Sequence, residues 1–386
     1  MSRVDACDPC LRRTELIARL SPRIERAGRG RAAYGRLLAL PDDELISAMG
    51  ANSDAKLHVA RAAFAPDVAR RRCDEAEVSA ICRHAAGYPA RLLELDDPPA
   101  VLHVAGDLSA LEGACGGVED VPAVAVIGAR RATTYALDVA WTLGRDLAVA
   151  GVTVVSGMAL GCDSAAHHGA LEGEGRTIAV LAGGADVAYP ASKRALHRRI
   201  QAQGCAVSEL PPGAGVMRWS FPARNRLIAA LAAAVIVVEG RERSGSLITA
   251  DIAADLGRPV GAVPGEVTTP RSAGTNALLA DGAAVIRDGR DALDLLCLPV
   301  RRRPPRVQRE QPRPAPAPRP AVQPAPPLEP GLRQALAAVD DGADSPDRLA
   351  LALDGDVAAA TVALTRLELA GVLRRERDGS YSRRAR

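Results

Sequence analysis

A chain of 386 residues with a net charge of +3 is long enough for two or three domains with a real core, and too nearly neutral for its total charge to announce a nucleic-acid binder. Lys56 and Lys193 are its only lysines, and the abundance of Arg, Ala and Pro is what a GC-rich genome produces, so arginine content alone decides nothing. Eight scattered cysteines do not make a disulfide scaffold, the polar N-terminus carries no apolar signal segment, and no apolar run reaches the ~20 residues of a membrane span; a soluble cytoplasmic protein with no membrane partner is expected.

Residues 1–85 space their apolar positions three and four apart in TELIARLSPRIERA, PDDELISAMGA and DAKLHVARAAFAPDVARRRCDEAEVSAICRHA, which predicts a small helical N-terminal domain. Asp42 and Asp54 are placed to start helices. Cys7-x-x-Cys10 has the spacing of a zinc knuckle, and Cys73, Cys82 and His84 are the residues that could complete a site. A single C-x-x-C without a partner pair is ordinary in buried thiols, so no metal is expected. GYPARLLELDDPPAVLHVAGD then reads as a loop and a short strand leading into a second domain, residues 86–298.

Within that domain seven short apolar runs, AVAVIG, VTVVS, TIAVLAGG, CAVSEL, AVIVVEG, PVGAVPG and AAVIRD, alternate with helical stretches such as YALDVAWTLGRDLAVA and SLITADIAADLG. This is the pattern of an α/β fold with a parallel sheet covered on both faces, which binds ligands at the carboxyl ends of its strands. Residues 299–330 form a Pro-rich linker with seven arginines against two glutamates, expected to be extended. Residues 331–386 read as three short helices and a hairpin around Asp378-Gly379, the outline of a winged helix, a module that serves DNA or protein contacts.

Several strand ends carry loops suited to an anion. The first strand ends at Gly128 with Arg130 next, and strand–Gly–loop–helix aims backbone N–H groups at a phosphate. It lacks the G-x-G-x-x-G fingerprint of dinucleotide binding. Ser156, Gly157 and Gly161 form the second loop, with Asp163 as the expected N-cap of the next helix; His167 and His168 in that helix are expected to be structural. Pro190 is expected to start a helix whose first turn carries Lys193 and Arg194, cations that suit a ligand better than a helix start. WSFPARNR brings Phe221, Arg224, Asn225 and Arg226 together in a chain with only two Phe and two Trp. Arg and Asn side chains hold phosphates and base edges; Phe221 is read as a packing anchor that aims the loop ahead of the alternative, a base-stacking platform. Glu239 ends the next strand, and Ser244, Gly245, Ser246 and Thr249 supply small donors at another helix start.

VIGAR, SGMALGCDSAAHHGAL, TIAVLAGGADVAYP, SELPPG, FPARNRLIAAL, VIVVEGRERSGSLITA, VPGEV and GTNALLADGA occur in an order that resembles the DprA/Smf family, the DNA-processing proteins of natural transformation. The resemblance is close over residues 85–298, and FPARNR with SGSLITA is its most specific part. It implies an extended Rossmann-like domain that binds single-stranded DNA, forms a homodimer, displaces single-strand-binding protein and loads the RecA recombinase, with no cofactor and no catalysis. It also implies that Arg130 contacts a DNA phosphate, that Gly157, Gly161 and Asp163 belong to the family's second loop, and that Arg224, Asn225, Glu239 and Ser244 to Ser246 complete the pocket. Cys162 stands where Ile is usual, Ala230 where Gly is common, and Lys193 where Asn is frequent. The alternative is a nucleotide or nucleoside-monophosphate hydrolase of the related Rossmann-like superfamily. Pro264-Gly265-Glu266 is only a fragment of the Pro-Gly-Gly-x-Gly-Thr signature that reading requires.

Overall fold

Side chains on a strand alternate between its two faces, and the apolar runs here are apolar on both. In the computed structural model, β4 (Ala123–Ile127) sends Ala123, Ala125 and Ile127 into one core and Val124 and Val126 into another. Such a strand is stable only in a sheet with helices on both sides. The structure describes residues 4–27, 33–51, 54–114, 122–296, 329–353, 355–375 and 379–383. It divides into two units, residues 1–306 and 307–386.

The first unit holds a ten-stranded sheet in the order β1-β2-β3-β7-β6-β5-β4-β8-β9-β10. The strands are β1 (Val4–Asp5), β2 (Val78–Cys82), β3 (Val101–Gly106), β4, β5 (Thr153–Ser156), β6 (Thr177–Val180), β7 (Cys205–Ser208), β8 (Ala234–Val237), β9 (Val260–Ala262) and β10 (Ala284–Val285). All pairings from β7 to β10 are parallel; β3 is antiparallel to both its neighbours, and β1 pairs parallel with β2. The seven sequence-predicted strands are β4 to β10. The chain builds outward from β4 through β5, β6 and β7, then returns to the other side of β4 with β8. The order therefore reverses between β4 and β8, where a doubly wound sheet opens a crevice at its carboxyl edge.

The N-terminal region supplies α1 (Asp8–Ala27), α2 (Ala33–Ala39), α3 (Asp42–Ala48), α4 (Ala55–Ala62) and α5 (Pro66–Glu75). Asp54 caps α4 by accepting from the Leu57 N–H, as expected; α3 begins with Asp42, but its cap position is Pro41. The helical spacing runs on through Cys82, yet Val78–Cys82 is a strand, buried at every position and paired antiparallel with β3. A run of five residues buried on all sides satisfies either reading, and the partner strand decides it. The N-terminal helices also share a core with the sheet region: Leu16, Leu20, Ile24, Tyr34 and Leu45 pack with Leu210 and Trp219.

The remaining helices of this unit are α6 (Leu108–Ala114), α7 (Thr134–Val149), α8 (Cys162–Glu172), α9 (Arg194–Gln203), α10 (Ser220–Leu231), α11 (Gly245–Asp255), α12 (Ala273–Ala280) and α13 (Gly289–Leu296). Helices α7, α8 and α13 cover one face of the sheet, and α6, α10 and α11 the other. The expected linker lies almost wholly outside the described residues. The second unit contains α14 (Pro330–Asp340), α15 (Pro346–Ala352) and α16 (Val357–Leu369) around an apolar core, with an antiparallel pair β11 (Leu373–Arg375) and β12 (Tyr381–Arg383). Asp378 of the expected turn lies outside the described residues.

Candidate nucleic-acid interface

The crevice predicted by the strand order is present. A cleft of about 690 Å³ opens where β4 ends, lined by Ile127, Gly128, Ala129 and Arg130, by Arg218, Phe221, Pro222, Arg224 and Asn225 around the start of α10, and by Ser244, Gly245 and Ser246 at the start of α11. Three strand-end loops and two helix starts thus converge on one concavity rich in guanidinium groups.

Arg224 is the most constrained of these. Its side chain is 5 % exposed, and Nη1 donates to the Val180 carbonyl at 2.5 Å. Burial lowers its pKa to about 10, the neighbouring Asp163 carboxylate acting upward and Arg130 downward. Its Nε is buried with no hydrogen-bond partner among the described residues. The guanidinium fits there because residue 157 is glycine: a Cβ at Gly157 would stand 1.8 Å from Arg224 Nη1. A buried cation with an unanswered donor is costly, and an anion in the cleft that Arg224 lines would offset its charge.

Arg130 lies over the Phe221 ring with its guanidinium carbon 4.5 Å from the ring centroid, and Tyr189 packs against the same ring at 5.7 Å. Phe221 is half-buried in the cleft wall and orients Arg130 through a cation–π contact. Asn225 Nδ2 donates to the Gly245 carbonyl at 3.1 Å, tying the start of α10 to the start of α11. Ser244 and Ser246 share a hydroxyl contact of 2.5 Å at the same helix start. Glu239 sits behind the cleft: it accepts from Thr133 Oγ1 at 2.6 Å, and Thr133 in turn caps α7. It holds the Arg130 loop in place and does not line the cleft.

The second loop differs from its expectation. Asp163 is not the N-cap of α8; Gly161 is, with φ of 82°, and a Cβ there would stand 2.1 Å from the Ala129 carbonyl oxygen. Asp163 lies in the first turn and accepts from Gly157 N–H at 3.1 Å, its pKa raised by burial against the opposing pull of Arg224. The N–H groups of Cys162 and Ser164 bond the Ala129 and Ala159 carbonyls, and Ser156 Oγ donates to Val126. These donors and the Gly157 N–H are taken up within the chain, so Ser156, Gly157, Gly161 and Asp163 chiefly shape the cleft. His167 is buried against Thr177 at 2.7 Å, a structural position as expected.

Arg226 departs furthest from the sequence reading. It leaves the cleft and is buried in an ion cluster, with Nε 2.7 Å from Asp97 and Nη2 2.7 Å from Glu209. Pro190 leads not into a helix but into a short 3-10 turn, Ala191–Lys193, after which exposed Arg194 begins α9. Lys193 faces a shallow groove that adjoins the cleft through Arg130. Trp219 is 1 % exposed and packs against Tyr34 with centroids 6.2 Å apart, anchoring the N-terminal helices to α10. Tyr34, Tyr189 and Arg218 line the cleft without being selected from sequence; for Arg218, adjacency to the FPARNR segment was the available signal.

Comparison with known proteins places this geometry. A putative DNA processing protein DprA from Mycobacterium tuberculosis is 49 % identical over 174 residues, an alignment covering 45 % of this chain and 45 % of that relative, so under half of the relative's length is matched. The solved structure of DNA processing protein A from Streptococcus pneumoniae matches 74 % of this chain and 95 % of its own at 30 % identity and a TM-score of 0.58. That of DNA processing protein A from Helicobacter pylori, solved for its single-stranded DNA binding mode, matches 57 % of this chain and 96 % of its own at 32 % identity and a TM-score of 0.51. The family model for DNA recombination-mediator protein A matches residues 79–296, the whole span from β2 to α13 that builds the sheet and its cleft. This chain belongs to the DNA recombination-mediator protein A family.

Proposed function

We propose that the chain is a DNA-processing protein that binds single-stranded DNA in the strand-end cleft, without catalysis. The observation that carries this is Arg224, a buried and incompletely paired guanidinium on the wall of a concavity shared with Arg130 and Arg218. Phosphate oxygens would complete those donors, and the start of α11 would add backbone N–H groups and the positive end of its dipole. Asn225 and the exposed ring of Tyr189 would hold a base, with Phe221 orienting Arg130 beside them. The likeness to the Helicobacter pylori protein supports this choice of ligand. Transfer of the bound strand to RecA, displacement of single-strand-binding protein, a homodimeric state and a winged-helix role for residues 331–386 belong to the same proposal, on the strength of family membership.

The test is a titration of a fluorescent single-stranded oligonucleotide at two salt concentrations with wild type and Arg130→Ala. Binding that falls linearly in log K with log salt, with a shallower slope in Arg130→Ala, is expected, because each lost phosphate contact removes about one released counterion. Binding indifferent to salt and to the substitution overturns the proposal. Release of free base from nucleoside monophosphates would select the hydrolase alternative instead.

A further inference from the structure

The expectation of no metal in the N-terminal region rested on a single C-x-x-C lacking a partner pair. Folding supplies that pair. Cys7, Cys10, Cys82 and His84 each bring one donor atom to a common point, all four within 4.8 Å of one another. Cys7 and Cys10 come from the start of α1, Cys82 ends β2, and His84 lies in the turn that follows. His84 Nδ1 is 3.5 Å from Cys7 Sγ and 3.4 Å from Cys10 Sγ. A tetrahedral ion with metal–sulfur bonds of about 2.3 Å and a metal–nitrogen bond of about 2.1 Å has S···N edges of about 3.6 Å.

We propose that these four residues bind a structural Zn²⁺ ion. Three thiolates and one imidazole form one of the donor sets that structural zinc sites use, and four protein ligands leave no open position for chemistry. Cys10 lies in the first turn of α1 and Cys7 immediately before that helix, so one helix start carries two of the four donors to the common point. Cys10 and Cys82 are buried with Leu11, Ala80 and Val101, which shields the site from water, while exposed His84 closes it on the solvent side. Cys73 belongs to the same apolar cluster, but its sulfur is outside the four-donor group. The ion would clamp the start of α1 to the end of β2, closing a loop that runs through all five N-terminal helices and fixing them to the edge of the sheet.

The test is metal analysis of the full chain, purified under reducing conditions with any affinity tag removed and reconstituted with zinc chloride. One zinc per chain is expected in wild type, in Cys73→Ser and in His84→Cys, which keeps four donors. Loss of the zinc is expected in Cys10→Ser. If Cys10→Ser does not fold, His84→Ala on the exposed side gives the same readout. Cobalt in place of zinc is expected to show thiolate-to-metal charge-transfer absorption that Cys73→Ser preserves and Cys10→Ser abolishes. Wild type that retains no zinc after reconstitution, or Cys10→Ser and His84→Ala that both retain it, overturns the site.

Discussion

Arg224 and Arg226 stand on the same helix, both buried, about 200° apart around its axis. The two regions they enter treat a guanidinium in opposite ways. On one side, Arg226 is answered in full: Asp97 and Glu209 bind it at 2.7 Å, and the Ala223 and Asp97 carbonyls take further N–H bonds. On the other, Arg224 has one carbonyl, a neighbouring carboxylate and an unpaired Nε. Their pKa values diverge accordingly: that of Arg224 is lowered by desolvation, whereas the two carboxylates beside Arg226 outweigh its desolvation and raise it. A buried arginine whose charge is closed by the protein holds the fold together. One left open toward a cleft is available to a ligand.

The largest effect should come from breaking the closed side. Arg226→Ala leaves buried Asp97 and partly buried Glu209 without the cation between them, and loss of one partner of a buried pair costs about 3–5 kcal/mol. Urea denaturation should show it, and Arg226→Lys should recover only part, because an ammonium cannot span two carboxylates as the planar fork does. A loss below about 1 kcal/mol, the range of exposed pairs, would break the comparison.

Acid tests the region around Arg224 next. His167 is buried near that guanidinium, and burial first, then the His168 and Arg224 charges, depress its pKa to about 3; burial does the same to His103, with Arg72 adding to it. A depressed folded pKa means that the unfolded chain takes up the proton first. Their contribution is therefore complete above the unfolded pKa of about 6.5 and is lost as pH falls from there toward 3, by about 2 kcal/mol for each histidine between pH 7 and pH 5. Stability measured across that interval in His167→Gln should fall less steeply than in wild type; an unchanged slope would show that His167 is not held neutral.

Arg224→Met sharpens the contrast directly. It removes an incompletely paired cation, so its stability loss should be smaller than that of Arg226→Met, while single-stranded DNA affinity should fall about tenfold, the worth of one charge-assisted hydrogen bond. The reverse ranking, with Arg226 controlling affinity and Arg224 stability, would exchange the two roles.

The sheet was legible from sequence because β4 to β10 are buried on both faces and so read as short apolar runs between helices. The cleft was legible where strand-end loops coincide with polar residues, as at Arg130, Asn225 and Ser244 to Ser246. What escaped was settled by residues far away in the chain. Arg226 looks the same as Arg224 in FPARNR until Asp97, 129 positions away, is brought beside it. Val78–Cys82 reads as helix until β3 pairs with it. Tyr34 carries no local signal because its place at the cleft depends on how α2 packs against Trp219. The thiols show the same limit: spacing identified Cys7 and Cys10, but only the fold separates Cys82 and His84, whose donors reach them, from Cys73, whose sulfur does not.

The smallest effect concerns Phe221, and it decides between two functions for one ring. If Phe221 acts only by orienting Arg130, Phe221→Leu removes a cation–π contact of about 0.5–1 kcal/mol and DNA affinity falls about two- to fivefold. If a base stacks on the ring itself, the loss is that of a stacking platform, about 1–3 kcal/mol. The half-buried ring, covered by Arg130 on one side and packed against Tyr189, favours the first outcome. A double-mutant cycle separates them. An orienting ring has nothing left to do once Arg130 is alanine, so Phe221→Leu should then cost no further affinity; a stacking ring would still cost its full share.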